Sequence, residues 1–168
     1  MENLMEPEQK KQSLSIFGVG PFYAFPVMLS SVLPFFLPAD PLWQMSGLIR
    51  GVTILSGVLL LLYGLQMWFR AVFVSEMIRH IRNNQLMTDG VYAVVRNPVY
   101  SGILSVCTGI VLASGNTLFF FLPVLYFLYL DILLRHTEEV WLLKLYGEPY
   151  RLYCQTVPRS IPRFKKLF

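Results

Sequence analysis

Four apolar stretches, at residues 15–37, 47–74, 99–113 and 117–134, constrain this chain more than any other feature of its sequence. Where no water is present to satisfy backbone N–H and C=O groups, a spanning segment must satisfy its own, so such runs read as helices crossing a bilayer. Composition agrees: 14% of the residues are charged, where soluble domains carry roughly 25%, 55% are hydrophobic, and mean hydropathy is +0.53. The expected fold is all-α, a polytopic membrane protein with four transmembrane helices and a cytoplasmic C-terminal helical tail. Its 168 residues amount to one domain. Two spans fill residues 1–74, a cytoplasmic loop 75–98, and a helical hairpin with the tail 99–168.

Each stretch has its own signature. The first carries Pro21, Pro26 and Pro34, which predicts a kinked helix whose freed carbonyls are satisfied by neighbours. The second, about 42 Å long at 1.5 Å per residue, should tilt or project beyond the bilayer. Gly47 with Gly51, then Gly57 and Gly64, mark points of close helix approach. Residues 75–87 are polar and basic, and predict an extension of that helix followed by a loop. The third stretch is only about 22 Å long. Its Ser101, Ser105, Gly109 and Ala113 recur every four residues, giving one face with almost no bulk, against which a helix can press and on which the hairpin packs. Ser114-Gly115-Asn116 is the turn between the two arms.

Charge sets the topology. Of 14 Lys and Arg residues, Arg50 alone falls near the 38–47 connection and none lies in the 114–116 turn; the other 13 flank the opposite ends. The positive-inside rule then puts both termini and the central loop in the cytoplasm. The +4 net charge and pI of 9.2 come from clusters beside apolar spans, so the partner is the lipid bilayer surface and not nucleic acid. Cys107 and Cys154 are too few and too scattered for a disulfide framework or a metal site. The N-terminus lacks the basic region, short apolar core and cleavage site of a signal peptide, and this with the short chain favours a bacterial plasma membrane.

Two polar constellations interrupt the apolar pattern. Thr88-Asp89-Gly90 is turn chemistry; Asn97 can cap the next helix and Pro98 suits its first position, so Arg96, Asn97 and Tyr100 lie at a helix mouth beside free N–H groups. Asp131, Arg135, Glu138 and Glu139 follow at i, i+4, i+7 and i+8, which predicts one shared helix face. Asp131 and Arg135 read equally as a structural pair or as a functional site; carboxylates at the bilayer edge are functional by default. Gly18 and Gly20 form a lone G-x-G, read as a packed or flexible helix start, and His80 reads as part of a solvated face. There is no G-x-x-x-x-G-K-[ST], H-E-x-x-H or G-x-S-x-G. The hairpin brings both constellations to one side of the membrane, as a ligand with cationic and anionic ends would require.

Thr88, Gly90, Tyr92, Arg96, Asn97, Pro98, Tyr100 and Gly102, then Glu138 and Glu139, Gly147, Tyr150 and Tyr153, then Val157, Pro158, Arg159, Ile161 and Pro162 follow one another in a pattern that resembles a known family. It is that of the membrane methyltransferases which include isoprenylcysteine carboxyl methyltransferase and phosphatidylethanolamine N-methyltransferase. The likeness covers residues 84–163. Asn97 stands where many members have His, Tyr146 replaces the common Phe, and Arg135 matches the expected arginine only approximately. The resemblance implies S-adenosyl-L-methionine as donor, entering from the cytoplasm, and a lipophilic acceptor entering from the bilayer. It implies a donor pocket of Asn84, Gln85, Leu86, Met87, Tyr92, Asn97, Pro98, Val99, Tyr100 and Glu138, with Arg96, Glu139 and Arg135 in catalytic roles.

The residue chemistry fits what is implied. Glu138 and Glu139 offer acceptors to an amino group and ribose hydroxyls, Arg96 or Arg159 suits a carboxylate, and Tyr92 or Tyr100 suits an adenine or a sulfonium. A carboxylate or thiolate acceptor needs no general base, whereas an amine must first lose a proton. His136 beside the acidic pair keeps the amine open. The expected acceptor is a carboxylate or thiol, the alternatives being a phospholipid amine and, in another class, a non-catalytic membrane scaffold or small carrier.

Overall fold

Proline and glycine set most of the helix boundaries. In the computed structural model, which describes residues 18–37, 43–83 and 85–162 (81 and 82 by backbone alone), α1 spans Gly20–Phe36 with Pro21 in its first turn. Pro26 has no N–H for the carbonyl of Phe22. The Tyr129 hydroxyl donates to that carbonyl instead, at 2.8 Å, so a neighbouring helix satisfies the freed group as expected.

Helix α2, Gly47–Phe69, continues through a π-helical turn over Arg70–Val74. It does not run on into the basic segment. Glu76 sits at φ 48°, a conformation that L residues rarely adopt, so the chain turns there and α3, Met77–Arg82, starts as a separate helix. Gly90, at φ 57°, supplies the turn predicted from Thr88-Asp89-Gly90 and opens a 3₁₀ turn over Gly90–Ala93. Helix α4, Pro98–Ala113, leads through the 114–116 turn to a 3₁₀ turn at Thr117–Phe119, where the Asn116 side chain accepts from Leu118 N–H at 3.2 Å. Next comes α5, Leu122–His136. Thr137, at φ −126° and ψ −84°, then breaks the helix before α6, Glu138–Tyr146, and Gly147 turns the chain into α7, Glu148–Thr156. The single shared face predicted from Asp131 to Glu139 is therefore broken between Arg135 and Glu138.

The described residues are all-α, with no strand beyond one isolated bridge between Gln44 and Asn116. Two helical stretches, Gly47–Val74 and Thr117–Tyr146, are long and apolar enough to cross a membrane. Only 11% and 22% of their most apolar windows are buried within the molecule, which distinguishes them from the core helices of a soluble domain. Leu48, Phe36 and Phe22 are likewise exposed at 83%, 80% and 72%. Such a surface is stable only in lipid, so this is a membrane protein. Helices α1 and α4, with 17 and 16 residues, fall short of the roughly 20 that a bilayer core asks for.

The bulk-free face of α4 packs on α2, not on its hairpin partner α5. A Cβ added at Gly109 would lie 2.5 Å from the Gly57 carbonyl oxygen, and one at Gly64 would lie 2.6 Å from the Gly102 carbonyl oxygen. Backbone meets backbone at these two levels because neither helix has a side chain there. Gly47 and Gly51 have nothing within 4 Å of an added Cβ, so that pair makes no close approach. The other side of α4 joins α1 and α5 in a core of Tyr23, Val27, Tyr100, Cys107, Val111, Tyr126, Leu130 and Leu134. A smaller cluster of Tyr150, Tyr153 and Val157 seats α7 against Leu86 and Tyr146.

This packing separates two substitutions of the same chemistry. Gly109→Ala should destabilise the protein by about 1–3 kcal/mol, because a methyl group cannot enter an α2–α4 contact made by backbone. Gly51→Ala should be neutral or slightly stabilising, because its Cβ meets nothing. Thermal unfolding in detergent checks both; equal melting temperatures would contradict the packing described.

Candidate functional site

At one end of the α4–α5 hairpin, a tail and a helix mouth are stitched together. The N–H groups of Arg96 and Asn97 donate to the carbonyls of Pro158 and Arg159 at 2.9 and 3.1 Å. Ser101 Oγ donates to the Ser160 carbonyl at 2.7 Å. Asn97 occupies the position before α4 as predicted, and its carbonyl accepts from Ser101 N–H. Its side chain does not cap the helix, however: Nδ2 donates to the Arg159 carbonyl at 3.2 Å. The N–H groups of residues 96 and 97 are thus taken by the tail.

Charge locks this junction. Arg96 Nη1 donates to the Cys154 and Val157 carbonyls at 2.7 and 3.1 Å, placing a cation at the C-terminal end of α7, where carbonyls are otherwise unpaired. Its Nη2 pairs with Glu139 Oε1 at 2.6 Å, with side chains 8% and 15% exposed. Arg159 meets the same carboxylate as a fork, Nε to Oε1 at 2.8 Å and Nη2 to Oε2 at 2.7 Å, and extends its Nη1 to Asp131. Hydrogen bonds to Glu139, foremost, push the Arg159 guanidinium further up from its ordinary value, so the clamp stays charged at physiological pH. Asp131 also holds Arg135 Nε at 2.7 Å. Arg135, 59% exposed, therefore reaches Glu139 only through Asp131 and Arg159. Asp131 and Arg135 do form a pair, and Asp131 belongs to the wider network as well.

Glu138 and Glu139 are adjacent, yet they face different partners. The hydroxyl of Tyr100, from the first turn of α4, donates to Glu138 Oε1. The backbone N–H of Val19, at the start of α1, donates to the same oxygen at 3.0 Å. Both hydrogen bonds given to Glu138 among the described residues fall on Oε1, and none falls on Oε2. Arg96 Nε is a buried donor with no partner among the described residues. Tyr92 lies next to this group, its carbonyl accepting from the Tyr153 hydroxyl at 2.6 Å, while burial pushes the phenols of Tyr92 and Tyr153 up and keeps them protonated.

Of the expected site residues, Arg96, Asn97, Tyr100, Glu138 and Glu139 come together, with Tyr92 beside them. Pro98 is fully buried at the helix start and Val99 half-buried. Leu86 packs on the tyrosine cluster of α7, Met87 is buried and Gln85 is exposed, its N–H donating to the His80 carbonyl at 3.0 Å. Asn84 lies outside the described residues. Sequence reasoning assigned no site role to Val19, left Asp131 between a structural pair and a functional site, and offered Arg159 to a ligand carboxylate without seeing it as the clamp. Only the tail motif signalled Arg159. The G-x-G that brackets Val19 was legible as a packed helix start, but not as packing against Glu138.

The arrangement sets a carboxylate and two tyrosines beside a shielded ion-pair network. Comparison with known proteins gives this geometry a family. No solved structure matches the chain. Over 84 residues it is 37% identical to the protein-S-isoprenylcysteine O-methyltransferase of Schizosaccharomyces pombe, covering 48% of this chain and 34% of that protein. Over 87 residues it is 33% identical to protein-S-isoprenylcysteine O-methyltransferase B of Arabidopsis thaliana, covering 51% and 43%. The matches thus span between a third and a half of the length of these relatives. A family model described as phospholipid methyltransferase matches residues 47–149, from the start of α2 to the start of α7, and takes in both Arg96 and the acidic pair. The chain belongs to the phospholipid methyltransferase family.

Proposed function

We propose that this chain transfers a methyl group from S-adenosyl-L-methionine to a lipophilic acceptor held in the bilayer. The observation that carries this reading is the Glu138 carboxylate, anchored through Oε1 by Val19 and Tyr100, with Tyr92 beside it. Those groups fit the donor. Oε2 suits a ribose hydroxyl or an ammonium, and the tyrosine rings suit a purine or a sulfonium. When bound, the donor supplies a carbon already activated by a sulfonium.

What the protein contributes is alignment and exclusion of water. Gln85, Leu86 and Met87 would form a rim, and Asn97, Pro98 and Val99 a floor. Arg96, through its two Nη groups, and Glu139 would serve by holding the helix mouth against the tail. Arg135 is held by Asp131 through Nε, and its Nη groups would suit an acceptor carboxylate. Four spans, with α1 and α4 crossing a locally thinned bilayer and both termini in the cytoplasm, would put the donor in water and the acceptor in lipid, within a single domain. Similarity to isoprenylcysteine O-methyltransferases supports an apolar-tailed carboxylate as acceptor. The family description keeps a second reading, a phospholipid amine, for which His136, exposed next to the acidic pair, is the nearest base.

Glu138→Gln and Tyr100→Ala should each weaken donor binding or turnover at least tenfold, about 1.4 kcal/mol, in a protein that still folds. Calorimetric titration with S-adenosylhomocysteine and a turnover assay measure this; wild-type values in both variants would return the chain to a scaffold or carrier role. Labelled methyl groups should accumulate in base-labile esters. Label confined to lipid amines would transfer the assignment to the second reading.

A further inference from the structure

The family match begins at residue 47, so α1 lies outside it. Yet α1 supplies half of the protein's hold on the proposed donor-site carboxylate. Val19 N–H donates to Glu138 Oε1 at 3.0 Å across 119 residues of sequence. The approach depends on the residue before it: Gly18 sits at φ 47°, and a Cβ there would overlap Glu138 Oε1. One turn further along, Tyr23 is fully buried and meets the Tyr100 ring edge-on, with centroids 6.0 Å apart, so α1 contacts both partners of the Tyr100–Glu138 bond. Glu138 is also the first residue of α6 and Val19 the residue that leads into α1, so two positive helix ends converge on this carboxylate.

We infer that Gly18 and Val19 are positioning residues for the methyl donor: the Val19 N–H and the Tyr100 hydroxyl fix Glu138 Oε1 so that Oε2 points to the donor's hydroxyl or ammonium groups. This rests on the donor reading above. A carboxylate tied by one neutral hydroxyl can rotate about its terminal torsion, which is broad and roughly two-fold; a second donor on the same oxygen, from backbone, restricts that rotation. Glycine at 18 is the only residue that lets the backbone come this close. The first helix therefore completes a site whose carboxylate, Tyr92 and Tyr100 lie within the family match.

The test is a double-mutant cycle on the full chain in detergent micelles, titrated with S-adenosylhomocysteine. Val19→Pro deletes the N–H and should weaken binding at least fivefold, while Val19→Ala keeps the N–H and should bind as wild type. In a Glu138→Gln background, Val19→Pro should add less than twofold, because its effect passes through that carboxylate. If Val19→Pro fails to fold, Gly18→Ala, which pushes Glu138 aside, takes its place in the same cycle with the same expectation. Equal affinity in Val19→Pro and wild type, or the same loss with and without Glu138, would overturn the inference. A wild-type chain that binds no S-adenosylhomocysteine would instead overturn the donor reading, and this inference with it.

Discussion

The clamp formed by Arg96, Glu139 and Arg159 is the interaction on which the rest of this structure depends. Taking charges out of water is costly, and a half-buried carboxylate with one cation would barely offset that cost. Here Glu139 accepts three charge-assisted hydrogen bonds from two guanidinium groups, while Arg96 also satisfies two carbonyls at the end of α7. Residues from the helix mouth, the α5–α6 corner and the tail are thereby held together. Arginine is needed at both positions, because only a planar fork can meet several acceptors at once.

A second constraint acts across the membrane. In lipid there is no hydrophobic drive between helices, so α2 and α4 associate through backbone approach at Gly57, Gly64, Gly102 and Gly109. That leaves the opposite face of α4 to meet α1 and α5, and it is this face that carries Tyr100. The small-residue seam thus aims the functional face: packing on α2 turns Tyr100 toward Tyr23 and Glu138.

Much of this was legible in the chain. Apolar length and charge placement gave the helices and their order. Turn chemistry located Gly90 and Gly115, both at positive φ, and the R-N-P-x-Y and E-E motifs named the residues that meet. Other features were not legible, because they depend on geometry at long range. Periodicity carried the Asp131–Glu139 face through Thr137, where the backbone breaks. Small-xxx-small spacing marked Gly47 and Gly51, and Gly57 and Gly64 were marked beside them, since sequence cannot tell which helix face finds a partner. Asn97 was read as a cap from local preference, but the tail's carbonyl took its amide. Val19 contributes through a backbone N–H, which no side-chain pattern records.

Hydrogen–deuterium exchange on the chain in micelles, with and without S-adenosylhomocysteine, tests most directly whether these remote segments enclose one ligand. The account predicts that the ligand slows exchange together in peptides covering the start of α1, residues 92–101 and the α5–α6 corner around Glu138. Slowing in one of these segments alone, or in none, would contradict it.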